Sequence, residues 1–354
     1  MDVTVAVIPR ERFRPLEQSL RSLFETISAD VPVIVVDGGA PKHVLDAVKK
    51  LQAKRPFELI ETGTFVLPNK ARNIALGRAK TKFVAFCDND LEYSPNWLDY
   101  MLEAASAEKV GAVAPTTLIG PTTPTLIHHA GGTFTRRKDA NGGHFLHSNH
   151  ALANTPIKDL VANDYHEAPT EITNFEYHCV MVNAKAMREV GGHDERMINF
   201  EHLDSSLRLQ AHGYKIAYAP KAHVLYRAFD SFKAEDLPYF HFRWALHRDM
   251  ASHQIYAKNW GLSAPNQTPE KCFSTRHTNR AVRGWIFKYP KWLPQRSRLA
   301  RIIHATKLKV WNSYDGKLPA QEAPHIPPPP PENGLDLAGI PLTRSTVAKA
   351  SSAA

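Results

Sequence analysis

Asp88 and Asp90 stand one residue apart at the end of the stretch Phe83–Asp90, FVAFCDND. The five apolar residues before them read as a buried strand. Two carboxylates placed so closely repel each other unless each meets a donor or both share a cation. A hard divalent ion such as Mg²⁺ takes carboxylate oxygens and fills its other positions with water and phosphate. The pair therefore points to metal-bridged binding of a diphosphate, although a solvated loop or a helix cap would tolerate the same spacing. Asp37 closes a second apolar stretch, IVVDGG. Arg72 and Asn73, in KARN, begin a helix, where anions are favoured and a guanidinium can fork onto phosphate.

The elements that must position these groups follow from periodicity. Val3–Ile8 (ending at Pro9), Val33–Val36, Phe57–Ile60, Phe83–Phe86 and Val110–Ala114 read as strands. Between them lie helical faces such as Leu16, Leu20, Leu23 and Val44, Val48, Leu51. Strand and helix alternate about every 25 residues, which predicts an α/β fold with an open, mostly parallel sheet and helices on both faces. Ligands of such sheets bind beyond the carboxyl ends of the strands. Asp37, Arg72, Asn73, Asp88 and Asp90 are thus expected on one rim. Residues 116–174 lose the pattern and read as irregular loops with a small antiparallel ribbon. Strands are expected again at Tyr177–Val182, Lys215–Ala219 and His223–Tyr226, with a helix over Glu201–Gln210 and helical structure over 235–260.

The segments VAVIPRERFRPLEQSLRSLFE, VIVVDGG, ARNIAL, FVAFCDND and GGHDERMINFEHLDSSLRLQAHGYKIAYAPKAHV occur in this order. Their layout resembles that of family 2 glycosyltransferases of the GT-A fold, rhamnosyltransferase-like members included. The resemblance spans about residues 1–230. It implies a nucleotide-sugar-binding half over 1–114 and an acceptor-binding half over 115–227. It also implies a UDP-, GDP- or dTDP-linked donor, Mn²⁺ or Mg²⁺, and inverting transfer to a glycan or lipid-linked acceptor. Asp37 would contact the base or ribose, Asp88 the ribose and metal, and Asp90 the metal directly. Pro9, Arg72 and Asn73 would shape the donor pocket, and His178 would lie near the floor of the sugar site.

Three departures from the family pattern stand out. Where a catalytic Asp is expected this chain has His202, within Glu201-His202-Leu203-Asp204. Histidine titrates close to working pH and suits a general base; Glu201 and Asp204 are the alternatives, or His202 caps the helix and does no chemistry. Tyr226 replaces a histidine that in many relatives is the third metal ligand, leaving His223, His241 and His247 as substitutes. The first loop carries Arg10-Glu11-Arg12, which either alters the nucleotide pocket or is solvated.

The chain has 18 histidines, and His144, His147 and His150 are spaced by three, a spacing that serves zinc only on a helix, which GGHFLHSNH does not suggest. An acceptor groove or a solvated loop is the expectation there. The formal charge of +9 is concentrated in an acid-free, tryptophan-bearing stretch at 271–314. That stretch is expected to touch an anionic membrane surface rather than nucleic acid, within a basic helical extension at 228–317. A proline-rich, disordered tail is expected at 318–354. Three scattered cysteines and the absence of a long apolar run fit a cytoplasmic protein, peripheral at the cytoplasmic face of the membrane. Two competing readings remain: a sugar nucleotidyltransferase, which would want a glycine-rich phosphate loop, and a glycan- or nucleotide-binding scaffold without a base.

Overall fold

The structure is a computed structural model and describes residues 2–120, 123–139, 142–228, 234–263, 322–331 and 334–342. The first half runs β1 (Val3–Ile8), α1 (Leu16–Thr26), β2 (Val33–Val36), α2 (Lys42–Gln52), β3 (Glu58–Ile60), α3 (Pro68–Arg78), β4 (Phe83–Asp88), β5 (Leu91–Tyr93), α4 (Trp97–Ala104) and β6 (Val110–Ile119). There follow β7 (Leu126–His129), β8 (Gly132–Lys138), β9 (His144–His150), α5 (Ile157–Ala162), β10 (Cys179–Asn183), α6 (Ala184–Glu189), α7 (Glu201–Ala211), β11 (Lys215–Tyr226), α8 (Leu237–Arg243) and α9 (Leu246–Trp260).

The main sheet has the order β3-β2-β1-β4-β10-β6-β11-β5, with β7 on β6. Its first four strands are parallel, β10 is antiparallel to both β4 and β6, and β11 again runs parallel to β6. This is the expected α/β arrangement of an open sheet with helices on both faces. β8 and β9 form the separate antiparallel ribbon. Alternation along β1 sends Val3, Val5 and Val7 into one core and Ala6 and Ile8 into the other. α1, α2 and α4 cover the first face through Leu20, Val48 and Met101, while α3 and α6 cover the second through Ala71, Ala75 and Met187. Buried leucines of this kind contribute about 1.5–3 kcal/mol each.

Two details of the sheet position the site. β4 extends past Phe86, and its last paired residue is Asp88, opposite Ile8 of β1. The two strands expected at Lys215–Ala219 and His223–Tyr226 are one strand, β11, with a register shift between Ala219 and His223. β6 runs through residue 114, so both halves of the chain share one sheet.

The proline-rich segment, expected in a disordered tail, is docked where it is described. Lys70 Nζ meets Glu322 at 2.5 Å, Arg208 Nη1 donates to the Pro328 carbonyl at 2.7 Å, Glu195 N donates to the His325 carbonyl, and His325 N donates to Glu195 Oε2. Gly191 has φ of +89°, and a Cβ there would stand 2.4 Å from Pro328 Cδ. The basic stretch 271–314 lies outside the described residues. Among the described residues no helix is long and apolar enough to cross a membrane.

Candidate active site

The carboxyl ends of the parallel strands β1, β2 and β4 lie side by side at one edge of the sheet. After β1 the chain turns at Pro9, whose ring packs so closely on Gly38 that a Cβ there would lie 2.5 Å from Pro9 Cγ. Asp37 ends β2 and closes its turn: Oδ1 accepts from Gly39 N at 3.2 Å and from Thr62 N and Oγ1 at 2.8 Å. Asn89 pins the first loop with both ends of its amide. Its Nδ2 donates to the Arg12 carbonyl at 2.7 Å, and its Oδ1 accepts from Arg10 N at 3.2 Å. From α8, Arg243 Nη1 donates to the Arg10 carbonyl at 2.8 Å, and Trp244 Nε1 donates to Glu11 at 3.1 Å.

The pinned loop delivers one arginine to each acid. Arg10 Nη1 lies 2.6 Å from Asp88 Oδ2, and Arg12 Nη2 lies 3.0 Å from Asp90 Oδ2. Neither arginine is solvated; their side chains are 13% and 2% exposed. Burial raises the Asp88 pKa, opposed by Arg10, Arg72 and Arg243. Burial also pushes Asp90 up to about 6, with Arg12 working against it. Asp90 is 0% exposed. The second oxygens of both acids, Oδ1, are buried without hydrogen bonds. A metal bridging Asp90 to a ligand would have to reach a carboxylate with no open surface that already holds a guanidinium. Arg10 and Arg12 thus hold the Oδ2 atoms of the expected metal pair, and the two Oδ1 atoms are the acceptors left over.

Arg72 is 1% exposed and does not reach the rim as a phosphate fork. Its guanidinium stacks on Tyr177, 3.8 Å from the ring centre, and lies 3.9 Å from both Asp88 Oδ1 and Glu201 Oε1. The end of β4 and the start of α7 thus meet across one buried cation. Arg243 is also 3.9 Å from Glu201. Burial raises the Glu201 pKa, but His202, Arg72 and Arg243 outweigh it and hold the carboxyl below its ordinary range. Half-buried His202 has its pKa lowered by burial, opposed by Glu201 and Glu176, which favours the neutral ring.

Asn73 and Asp204 are turned to other tasks. Asn73 latches the loop before α7, donating to His193 O and Glu195 Oε1 and accepting from His193 N at 2.8–2.9 Å. Asp204 is locked between helices: Oδ2 accepts from Arg208 at 2.6 Å, and Oδ1 from Asn259 Nδ2 and Trp260 Nε1 at 3.1 and 2.9 Å.

A cluster that was not expected borders Asp88. His178 Nδ1 lies 3.2 Å from Asp88 Oδ2, and its Nε2 lies 3.7 Å from Glu176 Oε2. His128 Nε2 is 3.1 Å from the same Glu176 oxygen, and His150 Nε2 is 3.8 Å from the other. Among the described residues, His128, Glu176 and His178 are the group of three that could hold a metal ion. His223, His241 and His247 are not part of it; His223 contacts Tyr165 at 3.1 Å instead. Tyr226 serves as a platform, its ring centre 4.1 Å from that of His178 with Arg10 on the same ring at 5.2 Å. On strand β9, His144 and His150 share a face and His147 takes the other, so the spacing by three gathers no cluster of its own.

Comparison with known proteins follows the same outline. The profile described as "Glycosyl transferase family 2" matches residues 4–191. A pre-mycofactocin glycosyltransferase of Mycobacterium tuberculosis, found in two strains, is 28% identical over 225 residues, 63% of this chain and 42% of the relative. The chain thus spans less than half the length of that relative. Among solved structures, the mannosyltransferase PcManGT from Pyrobaculum calidifontis, in complex with GDP-Man and Mn²⁺, has a TM-score of 0.49 and 15% identity, covering 89% of this chain and 82% of its own. GalNAc-T7 with UDP, GalNAc and Mn²⁺ has a TM-score of 0.49 and 14% identity, covering 78% of this chain and 54% of its own. The matched profile runs from β1 to the turn after α6, through the elements that carry Arg10, Asp37, Arg72, Asp88 and His178, and the chain belongs to glycosyl transferase family 2.

Proposed function

We propose that this chain moves a sugar from a nucleoside diphosphate to a hydroxyl of a glycan or lipid-linked acceptor, with inversion. The observation that carries the reading is Arg72 lying 3.9 Å from both Asp88 and Glu201. It joins the donor-side strand end to the helix start that bears His202. Membership of the family and the glycosyltransferase name of the 28%-identical relative support the reaction class.

In this reading the donor lies beyond the ends of β1, β2 and β4. Asp37 and Pro9 frame the nucleotide, and Arg10 faces the diphosphate. Arg72 and Arg243 act from below as fixed positive charges, which count for more away from water. The acceptor oxygen attacks the anomeric carbon as the bond to the diphosphate oxygen breaks, and that electron pair leaves on the diphosphate. Neutral His202 takes the hydroxyl proton. Glu201, held ionised, stabilises the imidazolium that forms, and Asp204 takes no part. A divalent ion, Mn²⁺ or Mg²⁺, would add charge neutralisation, but no step is assigned to one at Asp90, which has no open surface.

The test is calorimetric titration with UDP, GDP and dTDP, with and without Mn²⁺, followed by donor hydrolysis with the matching nucleotide-sugar. One nucleotide should bind. His202→Asn should abolish hydrolysis while nucleotide affinity is retained. Failure of all three nucleotides under both conditions would remove the proposal.

A further inference from the structure

We propose that His128, Glu176 and His178 form a binding site for a borderline divalent metal of the Zn²⁺ and Mn²⁺ class, with Asp88 orienting one of its ligands. The three residues come from two places: His128 from β7, and Glu176 and His178 from the chain entering β10. Their ligand atoms all lie within 4.8 Å of one another. The Nε2 atoms of His128 and His178 stand 3.1 and 3.7 Å from one Glu176 oxygen, which is buried and holds no hydrogen bond of normal geometry. His150 turns its Nε2 toward the other Glu176 oxygen, 3.8 Å away.

The surroundings are those of a ligand set. Metal-binding imidazoles commonly give their second nitrogen to a carboxylate, which fixes the tautomer and the ring orientation. His178 is placed for this, with Nδ1 3.2 Å from an Asp88 oxygen and Nε2 turned to Glu176. Tyr226 supports the same ring from its face, 4.1 Å away. Exposure grades across the cluster, from 5% at His178 through 16% at Glu176 to 29% at His128 and 31% at His150. A metal could therefore enter from the histidine side and keep an open position there.

The donor set also selects. Two or three imidazoles with one carboxylate suit Zn²⁺ and its transition-metal neighbours, whereas Mg²⁺ and Ca²⁺ prefer all-oxygen ligands. At the adjacent Asp90, positive charge is supplied by Arg12 at 3.0 Å instead. Asp88 is then shared: one oxygen takes Arg10 and His178, so the acid at the end of β4 helps to set a metal ligand without being one.

The test uses the full chain without a polyhistidine tag, stripped with a chelator and dialysed. Zn²⁺, Mn²⁺ and Mg²⁺ are titrated separately by calorimetry, and bound metal is counted by mass spectrometry. One Zn²⁺ or Mn²⁺ per chain is expected, with Mg²⁺ at least 100-fold weaker. His128→Ala and Glu176→Gln should each weaken binding more than 100-fold, and Asp88→Asn should weaken it about 10–100-fold, as expected for a group behind a ligand. Asp90→Asn should leave the stoichiometry at one. Thermal melting without metal checks that each variant folds; because His128 is partly exposed, its variant keeps the test decisive if Glu176→Gln does not fold. The proposal is overturned if wild-type protein takes up neither Zn²⁺ nor Mn²⁺, or if binding survives in His128→Ala but is lost in Asp90→Asn. The readout is metal rather than turnover, so this outcome is separate from that of the glycosyl-transfer reading.

Discussion

Arg12 and Asp90 form an ion pair of 3.0 Å in which the side chains are 2% and 0% exposed. Removing one member of such a pair leaves a buried charge with no partner, whereas replacing both by apolar groups is often nearly neutral. Arg12→Met is therefore expected to cost about 3–5 kcal/mol in urea unfolding. The double variant Arg12→Met with Asp90→Leu should recover most of that loss. A double variant no more stable than the single one would show that the pair is not the unit that matters.

His202 and Asp204 should separate by assay. His202→Asn is expected to lower kcat about 10²–10⁴-fold, the usual loss on removing a general base, with little change in KM. Asp204→Ala acts on the fold instead, because it leaves Arg208 buried without its 2.6 Å partner and removes an acceptor from Asn259 and Trp260. Its expected signature is a loss of about 3–5 kcal/mol in unfolding experiments, with kcat per folded molecule close to wild type.

Acid should weaken the protein through His193. Burial holds this imidazole well below its ordinary pKa, with Arg72 and His325 adding to the shift, and Nδ1 lies 2.9 Å from Tyr177 Oη. The folded state thus keeps the ring neutral while the unfolded chain protonates near pH 6.5. Stability is full above about pH 6.5 and falls as pH drops below it, by at most about 1.4 kcal/mol per unit from this one group. Urea unfolding between pH 7.5 and pH 5.5, values in the range of about one unit either side of the free pKa, should show a steeper slope for wild type than for His193→Gln. Equal slopes would remove His193 as the cause.

Gly191 tests the docking of the proline-rich segment. Its φ of +89° disfavours any side chain, and a Cβ would meet Pro328 Cδ at 2.4 Å. Gly191→Ala is expected to cost about 1–3 kcal/mol, the usual range for a residue forced into such a backbone conformation. A variant truncated before Glu322 should separate the two causes: with the segment gone, the same substitution should cost less.

The parallel half of the fold was legible because its strands and helices keep their own periods, two along β1 and three to four along α1. The place of Asp88 at the end of β4 was legible too, from the apolar run that precedes it. Asp90 shows the limit of that logic: its type and spacing invite a cation, but the cation supplied is Arg12, and only the fold reveals that Asn89 aims the loop at it. The hydrogen bonds of Asp204 were hidden for a related reason, because Asn259 and Trp260, which donate to it, arrive from α9 much later in the chain. His128 and Glu176 went unread because they lie in the stretch without periodicity, where residue type carries no direction. The density of histidines was the available signal, and what it lacked was the register that places β7 beside β6.

The run Pro327–Pro331 has a consequence for how a surface can be covered cheaply. Each proline already holds φ near one value, so laying the run against α7 gives up less backbone freedom than ordering five other residues, at about 1–2 kcal/mol each, would. Prolines also bring carbonyls without N–H groups, so none of the five can bury an unsatisfied backbone donor. One carbonyl, that of Pro328, accepts from Arg208, and the same guanidinium grips Asp204. A stiff, donor-free ribbon can therefore be held by very few bonds, and its hold on the protein is coupled directly to the ion pair inside α7.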